Sequence, residues 1–160
     1  MNNKYEIIKS GKNKGRIRAL RSFGNVKKGD IGGFIESEKN LSHNGDCWVF
    51  DDAKVYDNAR VSGNALVFDD ALVFGNAKVY GDALVSGNAR VTDDARVSGD
   101  ARVTGNAWVS GDARVTGNAW VFDNAWVSGD ARVTGNAMVS GDEKVFGNDL
   151  AYKISNIRKK

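Results

Sequence analysis

The sequence predicts an all-β chain wound into stacked coils from six-residue units. Three observations predict it. Valine stands at every sixth position from Val49 to Val145, seventeen times without a gap. Alanine stands two residues before each valine from Ala53 to Ala137, with Cys47 in that slot in the first unit and Glu143 in the last. Ahead of each alanine runs a fixed corner, Gly or Asp followed by Asn or Asp, as in Gly63-Asn64, Asp69-Asp70 and Gly75-Asn76.

Side chains two apart on a strand point the same way, so Ala and Val face in and their neighbours face out. The corner residues tolerate positive φ and bond their own backbone. A six-residue unit cannot bury its valine alone. Stacked coils can, each pairing its backbone with the next at about 4.8 Å. Proline is absent and glycine numbers 19, which suits a regular backbone with many tight corners.

The unit Val115-Thr116-Gly117-Asn118-Ala119-Trp120 resembles the hexapeptide-repeat family: an aliphatic, a variable residue, Gly, a variable residue, a small residue and another variable one. The resemblance implies a left-handed parallel β-helix, a triangular prism with three hexads, hence eighteen residues, per coil. The segment GDIGGFIESEKNLSHNGDCWVFDDAKVYDNARV (29–61) is also similar to bacterial and phage proteins labelled acyltransferases of this fold.

In chain order, residues 1–34 lie outside the hexads, and YEII and RIRAL read as short strands of an N-terminal cap. The β-helix is expected over 35–148. Ile35 and Leu41 are six apart but Leu41 and Val49 are eight apart, so a two-residue insertion around LSHNGDCW separates a lead-in rung from the regular prism. After Val145 the pattern fails at Asp149, and residues 149–160 read as a basic C-terminal cap or tail. Caps keep the open ends of stacked strands from pairing with other chains.

Sorted at eighteen-residue spacing, the residue before each valine falls into three columns. One is basic throughout: Arg60, Lys78, Arg96, Arg114, Arg132. The second is Trp48, Leu66, Leu84, Arg102, Trp120, Met138, and the third Lys54, Leu72, Arg90, Trp108, Trp126, Lys144. The residues after valine add Ser62, Tyr80, Ser98, Thr116 and Thr134 to the basic column. They add Phe50, Phe68 and Phe122 to the second and Tyr56, Phe74 and Phe146 to the third. This sorting is independent of the hexad and supports the eighteen-residue coil. Outward apolar columns mark an interface, with Leu66, Phe68, Leu84, Trp108, Trp120, Phe122 and Trp126 as candidates. A homo-oligomer is expected, and the resemblance favours a trimer.

The basic column is the candidate site for a small anionic, nucleotide-like ligand, guanidinium meeting phosphate. Corner acids precede many of these cations, Asp94 before Arg96, Asp112 before Arg114 and Asp130 before Arg132, which predicts local ion pairs. Asn58 and Asn76 precede Arg60 and Lys78, so these two lack a local acid. The N-terminal cations Arg16, Arg18, Arg21, Lys27 and Lys28 are expected near them.

The remaining numbers narrow the classes. A net charge of +3, from 23 basic and 20 acidic residues, is no strong nucleic-acid signal. One Cys and one His exclude a disulfide framework and a multi-histidine zinc site, and no cofactor is expected. No apolar run spans a bilayer and the opening MNNKYEIIKSGKNKG is polar, so a cytoplasmic protein is expected. Acyl-CoA-dependent acyl transfer, which the resemblance implies for many relatives, would need a histidine base. His43 is the candidate, with Glu36, Glu38 and Asp46 as orienters. Against it, no loop interrupts residues 49–145. The preferred expectation is a non-enzymatic oligomeric binding module that binds or sequesters a small anionic, nucleotide-like ligand or a protein partner, with a phage origin implied by the resemblance alone; the acyltransferase and a purely structural or assembly element are the alternatives.

Overall fold

A computed structural model describes residues 3–151 as three parallel sheets wrapped around one core. Each hexad contributes a two-residue strand, the position before valine and the valine itself. Strands eighteen residues apart pair in register: Arg96 with Lys78 and Arg114, and Trp108 with Arg90 and Trp126. The predicted three-sided coil is therefore the observed one. Each column of the sequence becomes one face, called here the basic, Trp120 and Trp126 faces.

The core is the Ala and Val columns, and every valine from Val49 to Val145 is buried. Burying one valine is worth about 1.5 kcal/mol or more, and the Ala and Val columns of the three sheets line the core together. The first residue of each corner has positive φ throughout, near 65° at Gly63 and 59° at Asp69. Where that residue is Asp, its carboxylate accepts the N–H of its counterpart one coil on. Asp69 accepts from Gly87 at 2.9 Å and Asp93 from Gly111 at 3.0 Å. Aspartate here meets the backbone requirement and adds an acceptor, which explains why the two residue types alternate.

The N-terminal cap extends the Trp126 face. Strand β1 (Tyr5–Ile7) pairs antiparallel with β2 (Arg16–Ala19), β2 with β3 (Ile31–Ile35), and β3 runs parallel to Lys54–Val55. Gly32 and Gly33 let β3 press onto the first coil. A Cβ on Gly33 would lie 2.6 Å from the Ala53 carbonyl oxygen and 2.7 Å from a Val49 methyl. The predicted insertion is present: Leu41 bridges to Val61, twenty residues on rather than eighteen.

Trp48 departs from its column. It was expected to face outward with Trp120, but it is 1% exposed. Phe23 and Tyr5 of the cap cover it edge-on, with ring centroids 5.3 and 6.2 Å away. The hexad places it outward, and the cap then folds over that first rung.

At the other end, the ladder runs on to Leu150–Ala151, which pairs with Arg132–Val133. The pattern break expected at Asp149 is a change of side chain while the backbone keeps its register. Residues 152–160 of the expected tail lie outside the described residues. Among the described residues, no helix is long and apolar enough to cross a membrane.

Candidate functional site

Each coil leaves unpaired carbonyls toward the N-terminus. Within the prism these accept N–H groups from the preceding coil, as Ala77 does from Arg60 at 2.9 Å and Val79 from Ser62 at 3.0 Å. In the first coil the cap supplies the donors. Phe34, Glu36 and Ser42 donate backbone N–H groups to Ala53, Val55 and Val61. Asn40 Nδ2 reaches the carbonyls of Ala59 (2.8 Å) and Asp57 (3.1 Å). Arg16 donates to the Asp51 carbonyl at 2.6 Å and pairs with the Asp52 carboxylate. Lys4 is fully buried, and its Nζ donates to the Cys47 carbonyl (2.7 Å), the Gly45 carbonyl (3.2 Å) and Cys47 Sγ (3.3 Å). Burial pushes the Lys4 ammonium below its ordinary range and the Cys47 thiol above its own. Cys47 is a packed member of this cap with a raised thiol, the opposite of an activated nucleophile.

His43 sits on the insertion, half-buried, its ring stacked on Tyr5 at 4.2 Å. Its Nδ1 accepts the Lys4 backbone N–H at 3.2 Å. The neutral imidazole therefore carries its proton on Nε2, and its one lone pair is already engaged. Nε2 lies 3.9 Å from Glu38 Oε2. Tyr5 donates to the carbonyls of Leu41 (2.7 Å) and Glu38 (3.1 Å), and burial raises its phenol above the usual range. His43 is thus a tethered donor in a cap.

The basic face is as predicted. Arg60, Lys78, Arg96, Arg114 and Arg132 are exposed and stacked in register. The predicted local ion pairs are not there. Among the described residues the ion pairs are Arg16–Asp52 and Arg18–Glu6, and none joins a corner Asp to the Arg two ahead. The corner side chains turn along the prism axis instead. Asn88 donates to Asn106, Asn106 to Asn124 and Asn124 to Asp142, each at 3.2 Å. Asp94, Asp112 and Asp130 stand as an acidic column beside the arginines and act through their field. Arg16 and Arg18 are elsewhere than expected, because β2 belongs to the sheet of the Trp126 face. Arg21 reaches the basic-face end of the cap, donating to the His43 carbonyl at 3.4 Å. The cation placed beside Asn58 is Lys39, at 2.9 Å.

The apolar faces carry ladders. On the Trp126 face, Trp108 and Trp126 stack at 5.2 Å with planes 10° apart, and Arg90 and Lys144 cover the two ends at 5.8 and 5.6 Å. Tyr56 and Phe74 stack at 5.0 Å. The Trp126 indole N–H donates to Ser110 Oγ, and that of Trp120 to Thr104 Oγ1 at 2.9 Å. A tryptophan before valine thus lies across the hydroxyl residue of the coil before. Ring faces are consumed within the ladder and ring edges point outward, each tryptophan of the stacked pair 37% exposed. On the Trp120 face, Trp120 packs on Phe122 at 4.6 Å, with Leu66, Phe68 and Leu84 half-buried along the same side.

Sequence reasoning missed Lys4, Tyr5, Lys39 and Asn40 as structural partners of the candidate residues. None is periodic, and each acts across a gap of many residues, so no local spacing announces it.

Against known proteins, a family model described as the YdcK beta solenoid repeat matches residues 53–67, 59–73, 77–93, 95–111, 107–123 and 125–141, together more than half of the chain. Among solved structures, the fold is similar to the acetyltransferase domain of PglB from Neisseria gonorrhoeae FA1090, with a TM-score of 0.64 and 18% identity. The match covers 76% of this chain and 57% of that one, and at this identity the likeness is one of fold. No curated protein matches the chain.

Proposed function

The chain belongs to the YdcK β-solenoid repeat family, and from that premise we propose that it is a non-enzymatic binding module that works as an oligomer. Its two aromatic faces hold copies together and its basic face is left for a small anionic ligand. The observation that carries this reading is the Trp108–Trp126 ladder. The ring faces are already stacked and clamped by Arg90 and Lys144. What remains is a flat strip of ring edges, which suits another flat protein surface better than a planar ligand needing a ring to stack on.

Two apolar faces per copy favour a closed ring, the Trp120 face of one copy against the Trp126 face of the next. Six strands about 4.8 Å apart make a face roughly 25 Å long and on the order of 500 Å². That is less than the roughly 800 Å² per partner of a standard interface, so using both faces fits a stable assembly. The hexapeptide-repeat resemblance favours three copies. Acyl transfer at His43 is the weaker reading, since a general base needs the lone pair that Nδ1 gives to the Lys4 N–H.

Light scattering on Trp126→Lys and Trp120→Lys tests the assembly. The expected result is a drop in mass for each variant with the β-sheet circular dichroism unchanged. Unchanged mass in both variants overturns the assembly.

A further inference from the structure

Along the basic face, acids and cations are not evenly matched. Asp94, Asp112 and Asp130 stand beside Arg96, Arg114 and Arg132, but Asn58 and Asn76 stand beside Arg60 and Lys78. Arg60 and Lys78 therefore lack the acid two residues ahead of them that Arg96, Arg114 and Arg132 have, and the Asp57 carboxylate at the corner before Arg60 is bonded to the Gly75 N–H. Their end of the face holds the one interruption of the coil between Ile35 and Val145, the eight-residue step from Leu41 to Val49. This step leaves a hollow of about 340 Å³, lined by Glu38, Lys39, Leu41, Ser42, His43, Arg60, Val61 and Ser62, within the size range of small-ligand pockets.

We propose that this hollow is an oxyanion site for a phosphate ester, with Arg60 as its charged anchor and His43 Nε2–H and the hydroxyls of Ser42 and Ser62 as its neutral donors. The inference locates the anionic ligand of the preceding reading and rests on it.

Each donor has a structural cause. The Lys4 N–H holds Nδ1 and the Tyr5 ring fixes the imidazole plane, so the proton is set on Nε2. The Glu38 carboxylate lies 3.9 Å from Nε2, beyond hydrogen-bond reach. Ser42 Oγ accepts the Asn44 N–H at 3.1 Å, which leaves its own O–H free to donate outward. Arg60 offers a planar fork suited to two phosphoryl oxygens. Lys39, bonded to Asn58 on the adjoining corner, adds a second positive charge at the rim. Glu38 is the opposing group and weakens the site. By contrast, the cleft farther along the face brings Arg114 and Arg132 together with Asp112, Asp130 and Asp149, a balance that favours no anion.

The test is a titration of the full chain with adenosine 5′-monophosphate and with inorganic phosphate, followed by amide and imidazole NMR, with adenosine as the uncharged control. The expected result is saturable shifts at His43, Arg60 and Ser62 with both phosphates and none with adenosine. Arg60→Gln, an exposed change, should weaken binding about tenfold or more, Glu38→Gln should tighten it several-fold, and Arg132→Gln should leave it unchanged. Shifts confined to Arg114 and Arg132, indifferent to Arg60→Gln, overturn this site and leave anion binding on the basic face standing. An absence of saturable shifts with either phosphate at millimolar concentration overturns both.

Discussion

In the prism, the carbonyl of Ala77 accepts the backbone N–H of Arg60 from the coil before it. In the first coil, the carbonyl of Ala59 accepts a side-chain N–H of Asn40, and that of Cys47 accepts the ammonium of Lys4. The two regions meet the same demand, that a buried carbonyl be bonded. The prism meets it by repetition and the cap by individual side chains. Repetition spreads each interaction over many equivalent copies and leaves the outward positions free to vary. The cap has no copies, so each of its donors is singly responsible for its acceptors. Substitutions should therefore hurt most in the cap and least at the corners of the prism.

The largest effect is expected at Gly33. A methyl there meets the Ala53 carbonyl and the Val49 side chain, and Gly33→Ala should cost about 3 kcal/mol in denaturant unfolding. A neutral result would show that β3 does not bear on the first coil. Next, Lys4→Met should cost about 2 kcal/mol, because the Gly45 and Cys47 carbonyls lose their donor. An unchanged midpoint would mean that water reaches them.

Tyr5 gives the cap a response to alkaline pH. Its raised phenol pKa means the folded state holds the proton longer than the unfolded chain. The stability this contributes is fully present below the ordinary value of 10.0 and is lost as pH rises beyond it. Tyr5→Phe, while losing the bonds to Leu41 and Glu38, should flatten that alkaline loss. An equally steep fall in the variant would place its origin elsewhere. The smallest effect is expected at a corner. Asp69→Gly keeps positive φ accessible and gives up one exposed acceptor for the Gly87 N–H. Its cost should stay within about 0.5 kcal/mol, the range of ordinary surface substitutions. A cost above that of Lys4→Met would reverse the comparison.

The same contrast sets how much the sequence reveals. Val49 through Val145 announce the core because one rule repeats, and the columns of Arg114 and Trp126 follow once the coil is counted at eighteen. The insertion between Leu41 and Val49 is legible as a change of spacing, and it is where the candidate anion site lies. The cover over Trp48 is not legible, since it depends on Phe23 and Tyr5 arriving from distant strands. The expected Asp94–Arg96 type of pair fails because closeness in sequence says nothing of direction. The corner asparagines bond along the prism axis to partners eighteen residues away, and Asp94 stands in column with Asp112 and Asp130. For His43, type and neighbours suggested a base, and only the Lys4 N–H on Nδ1 shows where its lone pair goes.

The central claim is that the aromatic faces of this prism are shared between copies. Sedimentation equilibrium of the unmodified protein across micromolar concentrations tests it most directly. The expected mass is a whole multiple of the 17.3 kDa chain, three-fold for the favoured ring. A mass of one chain throughout that range would contradict it.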